Sequence, residues 1–375
     1  MKIAIIGPYP KPYGGISVHI RNFALYYLQF YYDSLKINIY NTSIQKEQVD
    51  NYNFIRRISS SRLKLNFLLR PLWLIKPIIH FRPDILHYSG SASWVLRVAT
   101  LLIAKLIRSK SILSVHGAGF KNNIFSKNSV KNLPLSQKLI WLLIKNYNHI
   151  ICDNNYQIRN LKALGYSENK ISMISEFIPS IIREEDYIKI PNYIQEFYNQ
   201  NELCIYGMGW DANIDGVDLY GIDMMLELMH QIKIRYNKLK IGLTLKLLNA
   251  SDKYLEKLKR EINKKALDNI LIIKEDIEEI YPLIEKADIM IRPTCTDGDS
   301  VSIREALHFN TSVITSDAVS RPEGCILFIN RNQNDFEKKV FTLVKKKLGK
   351  QGKAKNKVEH KINNAEKIIN LYKTL

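Results

Sequence analysis

The sequence predicts an α/β chain built as two Rossmann-like halves, and three observations predict it. Its 375 residues are enough for two domains at about 100–200 residues each. Short apolar strands alternate with helical patterns along the whole chain, the mark of parallel sheets with crossover helices. A proline-bearing interruption at 176–200 then divides the alternation into two stretches of similar size. Composition agrees, since 46% hydrophobic and 24% charged residues are ordinary globular values. Sixteen glycines and twelve prolines exclude a collagenous or low-complexity chain.

In the first half, strands are predicted at 2–7, 36–40, 84–89, 111–117, 149–153 and 170–175, with helices at 16–30, 91–108, 135–147 and 155–164. In the second half, strands are predicted at 202–207, 240–248, 269–274, 288–293, 311–316 and 325–330. Helices fit at 221–236, 251–265, 277–286, 301–309 and 334–348. The expected domains are therefore 1–180, a linker at 181–200, 201–348, and a basic helix or tail at 349–375. Two such sheets would enclose a cleft between the carboxyl ends of their strands, where ligands of α/β sheets bind.

The formal net charge is +19, and it is concentrated. Residues 55–83 carry seven basic side chains and no acid, and residues 344–375 carry ten lysines against two glutamates. Such surpluses call for an anionic partner or a solvated surface. A coding bias toward Ile, Lys, Asn and Tyr also inflates lysine. Within 62–83 the basic residues interleave with Leu, Ile, Phe and Trp73, while Pro71 and Pro77 are expected to break any single helix. That composition suits either an interfacial membrane segment or a helix packed on the sheet with its basic face outward. The tail 344–375 reads as a solvated helix, and no RNA- or DNA-binding module is recognisable, so nucleic acid is not an expected partner.

Cys152, Cys204, Cys295 and Cys325 are scattered without a C-x-x-C pair, which argues against zinc or disulfides and for reduced thiols. The N-terminal MKIAIIGPYP is too short an apolar run for a signal peptide and reads as a first strand. No run of 18 uncharged apolar residues is present to span a membrane. A cytoplasmic chain, peripheral at the inner face of the membrane, is the expectation.

Four motifs carry chemistry. Gly14-Gly15 follows the first strand and precedes a helix, where bare backbone lets N–H groups meet an anion. YGMGWDA (206–212) matches G-x-G-x-x-A, but Gly216 and Gly221 interrupt the helix a dinucleotide fold would need, so NAD is not expected. Asp297-Gly-Asp299 is a D-x-D pair of hard oxygen ligands, too short a signal to imply a metal. DGDSVSIREALHFNTSVITSD (297–317) is the strongest stretch. Ser300 is a candidate N-cap, the first-turn N–H groups make an anion site, and Arg304 can add a bidentate contact.

A carboxylate, seven residues, then Glu-Ala-Leu, with a buried strand on either side, resembles the E-x7-E signature of retaining GT-B glycosyltransferases. This is the family that includes many lipopolysaccharide and capsule transferases. The Gly14-Gly15 loop, SVHG at 114–117, the linker, and IEEIYPLIEKADIMIRPT at 277–294 extend the resemblance over more than 300 residues. It implies a GT-B fold, two Rossmann-like domains facing across a central cleft, with a UDP- or GDP-sugar as donor and no metal or cofactor. By position, Glu305 would bind the donor's ribose. Asp297, where the family usually has glutamate, would hold sugar hydroxyls. Backbone at Asp299, Ser300 and Val301 would face the diphosphate, Gly14 and Gly15 would cover it, and His116 would lie near the transferred sugar.

The family usually places an arginine after the first strand of the second domain and a lysine before the next helix. Here those neighbourhoods read YGMGW and DLYGIDM, with Tyr220 in the lysine's place. A leaving diphosphate needs fixed positive potential, and Arg292, Arg304 and Arg321 are the candidates to supply it. The expected activity is retaining transfer to a glycan or lipid-linked acceptor. A sugar-nucleotide epimerase and a non-catalytic binder are the alternatives.

Overall fold

The computed structural model describes residues 1–10, 14–43, 50, 52–57, 70–90, 93–116, 145–163, 165–248, 250–274, 277, 279–297, 299–349 and 363–375. They form two compact units: Met1–Ile181 with Ile362–Leu375, and Ile182–Lys361. Each is a Rossmann-like α/β domain with an entirely parallel main sheet.

Unit 1 contains β1 (Lys2–Gly7), α1 (Gly15–Phe30), β2 (Lys36–Asn41), β3 (Ile55–Arg57), α2 (Arg70–Phe81), β4 (Ile85–Ser89) and α3 (Trp94–Leu106). It continues with β5 (Lys110–Val115), β6 (His149–Cys152), α4 (Asn155–Ala163) and β7 (Ile171–Met173). The sheet order is β3-β2-β1-β4-β5-β6-β7. Ile3, Ile5, Ile37, Ile39, Ile85 and Ile112 are buried, as strands covered on both faces by helices require. The order reverses between β1 and β4, which opens a crevice at their carboxyl ends. Gly7 sits there for a steric reason: a Cβ would lie 2.0 Å from the Ser89 carbonyl oxygen and 2.4 Å from Ile20 Cδ1.

Unit 2 begins with α5 (Glu184–Ile188) and α6 (Asn192–Gln200), then β8 (Leu203–Trp210), the short antiparallel β9 (Asn213–Ile214) and β10 (Val217–Asp218), and α7 (Ile222–Arg235). There follow β11 (Ile241–Leu248), α8 (Asp252–Lys264), β12 (Ile270–Ile273), α9 (Tyr281–Lys286), β13 (Ile289–Arg292) and α10 (Val301–His308). β14 (Ser312–Ser316), β15 (Ile326–Phe328) and α11 (Gln333–Leu348) complete it. The order β12-β11-β8-β13-β14-β15 repeats the reversal of unit 1, now between β8 and β13. Met225 and Met229 of α7 pack with Leu243, Ile291 and Phe336 on one face. Tyr206, Met290, Ile284 and Ala306 fill the other.

Several expectations change. β8 runs past the expected end at 207 to Trp210, so Gly207 and Gly209 lie inside a strand. A Cβ on Gly207 would come 2.7 Å from Met225 Sδ, and one on Gly209 would come 2.9 Å from Ile222 Cδ1. Those glycines seat a helix, which accounts for the false dinucleotide pattern. The stretch read as a linker carries α5 and α6, with Ile190, Ile194 and Tyr198 buried. The helix expected at 277–286 starts only at Tyr281, with Pro282 in its first turn. α2 is continuous despite its prolines: Pro71 is its second residue, where no N–H is needed. Burial of Leu74 and Ile78 offsets the bond lost at Pro77. Residues 62–69 and the expected helix over 135–144 lie outside the described residues.

The last helix, α12 (Asn364–Thr374), is not solvated. Ala365, Ile368, Ile369 and Tyr372 are buried in the core of unit 1 with Ile3 and Phe23, and Asn364 Nδ2 donates to the Phe177 carbonyl at 2.7 Å. An apolar stripe at i, i+3, i+4 and i+7 had been obscured by the lysines around it. Replacing Ile369 by Ala is expected to cost about 2–5 kcal/mol of stability in denaturant unfolding. Lys367→Ala, at an exposed position, should leave it within about 0.5 kcal/mol.

Candidate functional site

Polar groups gather at the carboxyl ends of both sheets. In unit 1 the centre is His116, immediately after β5. Its Nδ1 lies 2.8 Å from Glu176 Oε1 and its Nε2 lies 2.9 Å from Ser89 Oγ at the end of β4. A carboxylate only accepts, so Nδ1 carries the proton and Nε2 accepts from the Ser89 hydroxyl. His19 of α1 donates from Nδ1 to the Glu176 carbonyl at 2.6 Å, and its ring centroid is 5.8 Å from that of His116. Behind them His87 joins Tyr372 OH of α12 at 2.6 Å and Ser114 Oγ at 2.8 Å.

Burial dominates the titration of these rings. It pushes His19 and His87 each down to about 3, helped by repulsion from His116, and His116 down to about 4. All three are neutral near pH 7. Glu176 escaped the sequence reading because it lies 60 residues from His116, after a different strand. A buried carboxylate in ISEFIPS was the only signal available.

Gly14 and Gly15 start α1 beside this cluster. Gly14 is the N-cap in extended conformation, and its N–H donates to Ser17 Oγ at 2.9 Å. A Cβ on Gly14 would meet nothing within 4 Å, and one on Gly15 would lie 3.5 Å from Glu176 Oε2. Packing among the described residues therefore does not require either residue to be glycine.

In unit 2 the sequence-predicted residues fall into two groups around α10. Asp297 is gripped by Arg292 Nε at 3.1 Å and Arg321 Nη1 at 3.0 Å. Arg321 is fixed in turn by Nε donating to the Ser316 carbonyl at 3.1 Å, and the Arg292 guanidinium lies over the Tyr220 ring at 5.3 Å. Burial works to raise the Asp297 carboxyl, but the two guanidinium groups outweigh it and hold it below its ordinary range. The second group is separate: Arg304 Nε meets Asp299 Oδ1 at 2.5 Å. Arg292 and Arg321 thus converge on one point and Arg304 does not join them. Ser300 is the N-cap of α10, but its hydroxyl does not cap the helix and lies 3.3 Å from Ser302 Oγ. Glu305 is buried on α10, on the side where Tyr206 of β8 feels its charge.

The region that departs from the family pattern has its own solution. Asp218 accepts from the N–H groups of Tyr220 at 2.9 Å, Gly221 at 3.1 Å and Ile222 at 3.2 Å, filling the start of α7 with a carboxylate of the protein. Gly221 has φ +66°, and a Cβ there would lie 2.2 Å from the Pro293 carbonyl oxygen. That close approach brings Tyr220 against Arg292. Among the described residues no group of three or more His, Cys, Asp or Glu is placed to hold a metal ion.

Residues 13–180 match the family description Glycosyltransferase Family 4. That span includes Gly14, Gly15, His116 and Glu176 and stops before unit 2. No curated protein matches the sequence. Similar solved structures include Anabaena HepE in complex with UDP and glucose, at a TM-score of 0.66 and 11% identity with 100% of both chains covered. Sucrose-phosphate synthase from Thermosynechococcus elongatus gives 0.65 at 14% identity, covering 100% of this chain and 98% of that one. UDP-GlcNAc 2-epimerase from Methanocaldococcus jannaschii gives 0.61 at 14%, with 100% of both covered. At such identities the likeness is one of fold: two Rossmann-like domains of the GT-B type.

Two predictions follow from the charges. Each buried histidine has a folded pKa below its unfolded value near 6.5, so the unfolded state binds more protons as pH falls. Stability should drop between about pH 6.5 and 4, by about 1.4 kcal/mol per pH unit for each histidine. Unfolding curves across that window check it, and His19→Asn should flatten the slope. Asp297→Asn should destabilise the protein by about 3–5 kcal/mol, because it strands two buried guanidinium groups; a wild-type denaturation midpoint would contradict this.

Proposed function

We propose that this chain is a retaining, metal-independent glycosyltransferase that moves a sugar from a nucleotide-sugar to a glycan or lipid-linked acceptor in cell-surface polysaccharide synthesis. The observation that carries the reading is the 297–305 segment: a turn at the carboxyl end of β13, Asp297 under two arginines, and Glu305 on the helix that follows. The GT-B fold, the family match in unit 1, and the UDP bound by HepE support a nucleotide-sugar donor, with UDP favoured.

In this reading the diphosphate rests on backbone at Asp299, Ser300 and Val301, and Glu305 binds the ribose. Among the described residues nothing requires Gly14 or Gly15 to lack a side chain, which supports a bare approach for the ligand. Arg292 and Arg321 stand in for the missing arginine–lysine pair, and Asp297 both faces the sugar and anchors them. The acceptor hydroxyl attacks the anomeric carbon from the face the nucleotide leaves. The bond to the phosphate oxygen breaks, and that oxygen takes the hydroxyl proton, giving a glycoside of retained configuration and a nucleoside diphosphate. The protein's contribution is orientation and charge stabilisation. His116, neutral and held at both nitrogens, shapes the sugar site rather than shuttling protons. Guanidinium groups facing both Asp297 and Asp299 favour chemistry without a divalent cation.

Peripheral membrane contact at the inner, cytoplasmic face is supported by α2. Leu72 and Trp73 are 58% and 55% exposed beside Lys76, while no helix among the described residues is long and apolar enough to cross a membrane. Sedimentation with anionic vesicles tests it, and no binding at low salt would remove it.

Glu305→Ala should weaken nucleotide affinity by about tenfold or more, the scale of losing a charge-assisted bond pair. Arg321→Met should lower turnover by about a hundredfold. Product analysis over a panel of nucleotide-sugars, with and without acceptor and with a chelator, is the decisive assay. Epimerised donor formed without acceptor would replace transfer by epimerisation, and undiminished nucleotide binding and turnover in both variants would remove the site.

A further inference from the structure

Arg97 is a buried cation with no counter-ion among the described residues. It lies in the first turn of α3, just after β4, and is only 8% exposed. Its Nε is buried without a hydrogen-bond partner, and no ion pair to its guanidinium occurs among the described residues. The groups that couple to it electrostatically are the hydroxyls of Tyr88, Tyr147 and Tyr166. It is also near enough to His116 to disfavour that ring's charged form. An unpaired buried guanidinium is expensive to keep, and a hydrophobic side chain of similar volume would serve packing better.

The surrounding sequence offers no hidden partner. Residues 85–152 contain nine Lys or Arg and not one Asp or Glu. The flanking carboxylates are engaged elsewhere: Asp84 accepts from the Lys2 backbone N–H and Asp153 from Asn154 Nδ2. Glu176 serves His116, and Asp50 serves Arg21 and Tyr9. The wider stretch 51–152 holds sixteen basic residues against the single acid Asp84.

We propose that Arg97 is the anchor of an anion site beside His116 that takes a phosphate group carried by the acceptor. The guanidinium fork supplies paired donors for phosphate oxygens. Tyr147 OH is spent on the Arg97 carbonyl at 2.6 Å, so the guanidinium is the donor, and the basic stretch draws the anion in. Calling the anion an acceptor rests on the transferase reading; the anion site itself does not.

Thermal unfolding at fixed ionic strength tests the site without any transfer reaction. With the donor site saturated by UDP, inorganic phosphate should raise the wild-type melting temperature further, and Arg97→Met should abolish that further rise while unfolding no earlier than wild type without ligand. Arg97→Lys should keep part of the rise. Lys105→Met, which removes an exposed charge from the same helix, should respond as wild type. Two further ligands separate the sources: a soluble sugar phosphate, and a prenyl phosphate in neutral detergent micelles. The one that shifts the wild type and not Arg97→Met identifies the acceptor class.

In transfer assays Arg97→Met should raise the acceptor KM about tenfold and leave UDP affinity unchanged. Equal phosphate stabilisation of wild type and Arg97→Met would overturn the proposal. So would early unfolding of both Arg97→Met and Arg97→Lys with no phosphate response in the wild type, since the arginine would then be a packing residue. A phosphate shift dependent on Arg97, in a protein that transfers no sugar, would keep the site and discard the transferase reading.

Discussion

A parallel sheet covered by helices on both faces leaves polar side chains only one place to collect, the ends of its strands. Most of the chemically notable groups in both units follow that constraint, though Asn38 of β2 and Thr244 and Lys246 of β11 are buried within strands. The strand interiors of unit 1 are mostly isoleucine and leucine, with Asn38, His87 and Ser114 buried among them, whereas Ser89, His116 and Glu176 lie at or just beyond the carboxyl ends of β4, β5 and β7. In unit 2 the same rule sets Arg292 at the end of β13 and Ser316 at the end of β14. The glycines at the two order reversals are part of the same geometry. Gly7 lets β1 come against Ser89, and Gly221 lets the loop before α7 come against Pro293.

The two units handle buried charge differently. Unit 2 pairs it: Asp297 is ionised because two guanidinium groups offset its desolvation, and Asp218 is spent on the N–H groups opening α7. Unit 1 largely neutralises it: three histidines lose their protons to burial and organise through neutral hydrogen bonds. Two arginines stay charged, since a guanidinium does not deprotonate near neutral pH: Arg21 is paired with Asp50, and Arg97 has no counter-ion among the described residues. The last helix completes the arrangement, because Tyr372 of α12 is a partner of His87, so the chain's final residues support the polar cluster of its first half.

The alternation of strands and helices was legible in the sequence because both periods are written locally in apolar spacing. All twelve expected strands are present, and β3, with three residues, was too short to stand out. Glycine positions were legible and their purposes were not. Gly207 and Gly209 match a nucleotide fingerprint that Gly216 and Gly221 already argued against, but only the fold shows that Met225 and Ile222 pack over them. The tail of ten lysines concealed an apolar stripe that matters only once unit 1 is there to receive it.

By itself, then, the sequence determined the two-sheet α/β architecture and pointed to the segment from Asp297 to Glu305 and to His116, Arg304 and Arg321 as candidates, since each depends on neighbours within a few residues or on local periodicity. Tertiary structure alone decided that Arg292 joins Arg321 on Asp297 while Arg304 turns to Asp299. It also decided that Glu176 holds His116 and that Arg97 is buried without a counter-ion among the described residues. Those facts depend on which strand ends meet across a sheet. Hydrophobic burial fixes that order through contacts between residues far apart in the chain, and no local pattern records it.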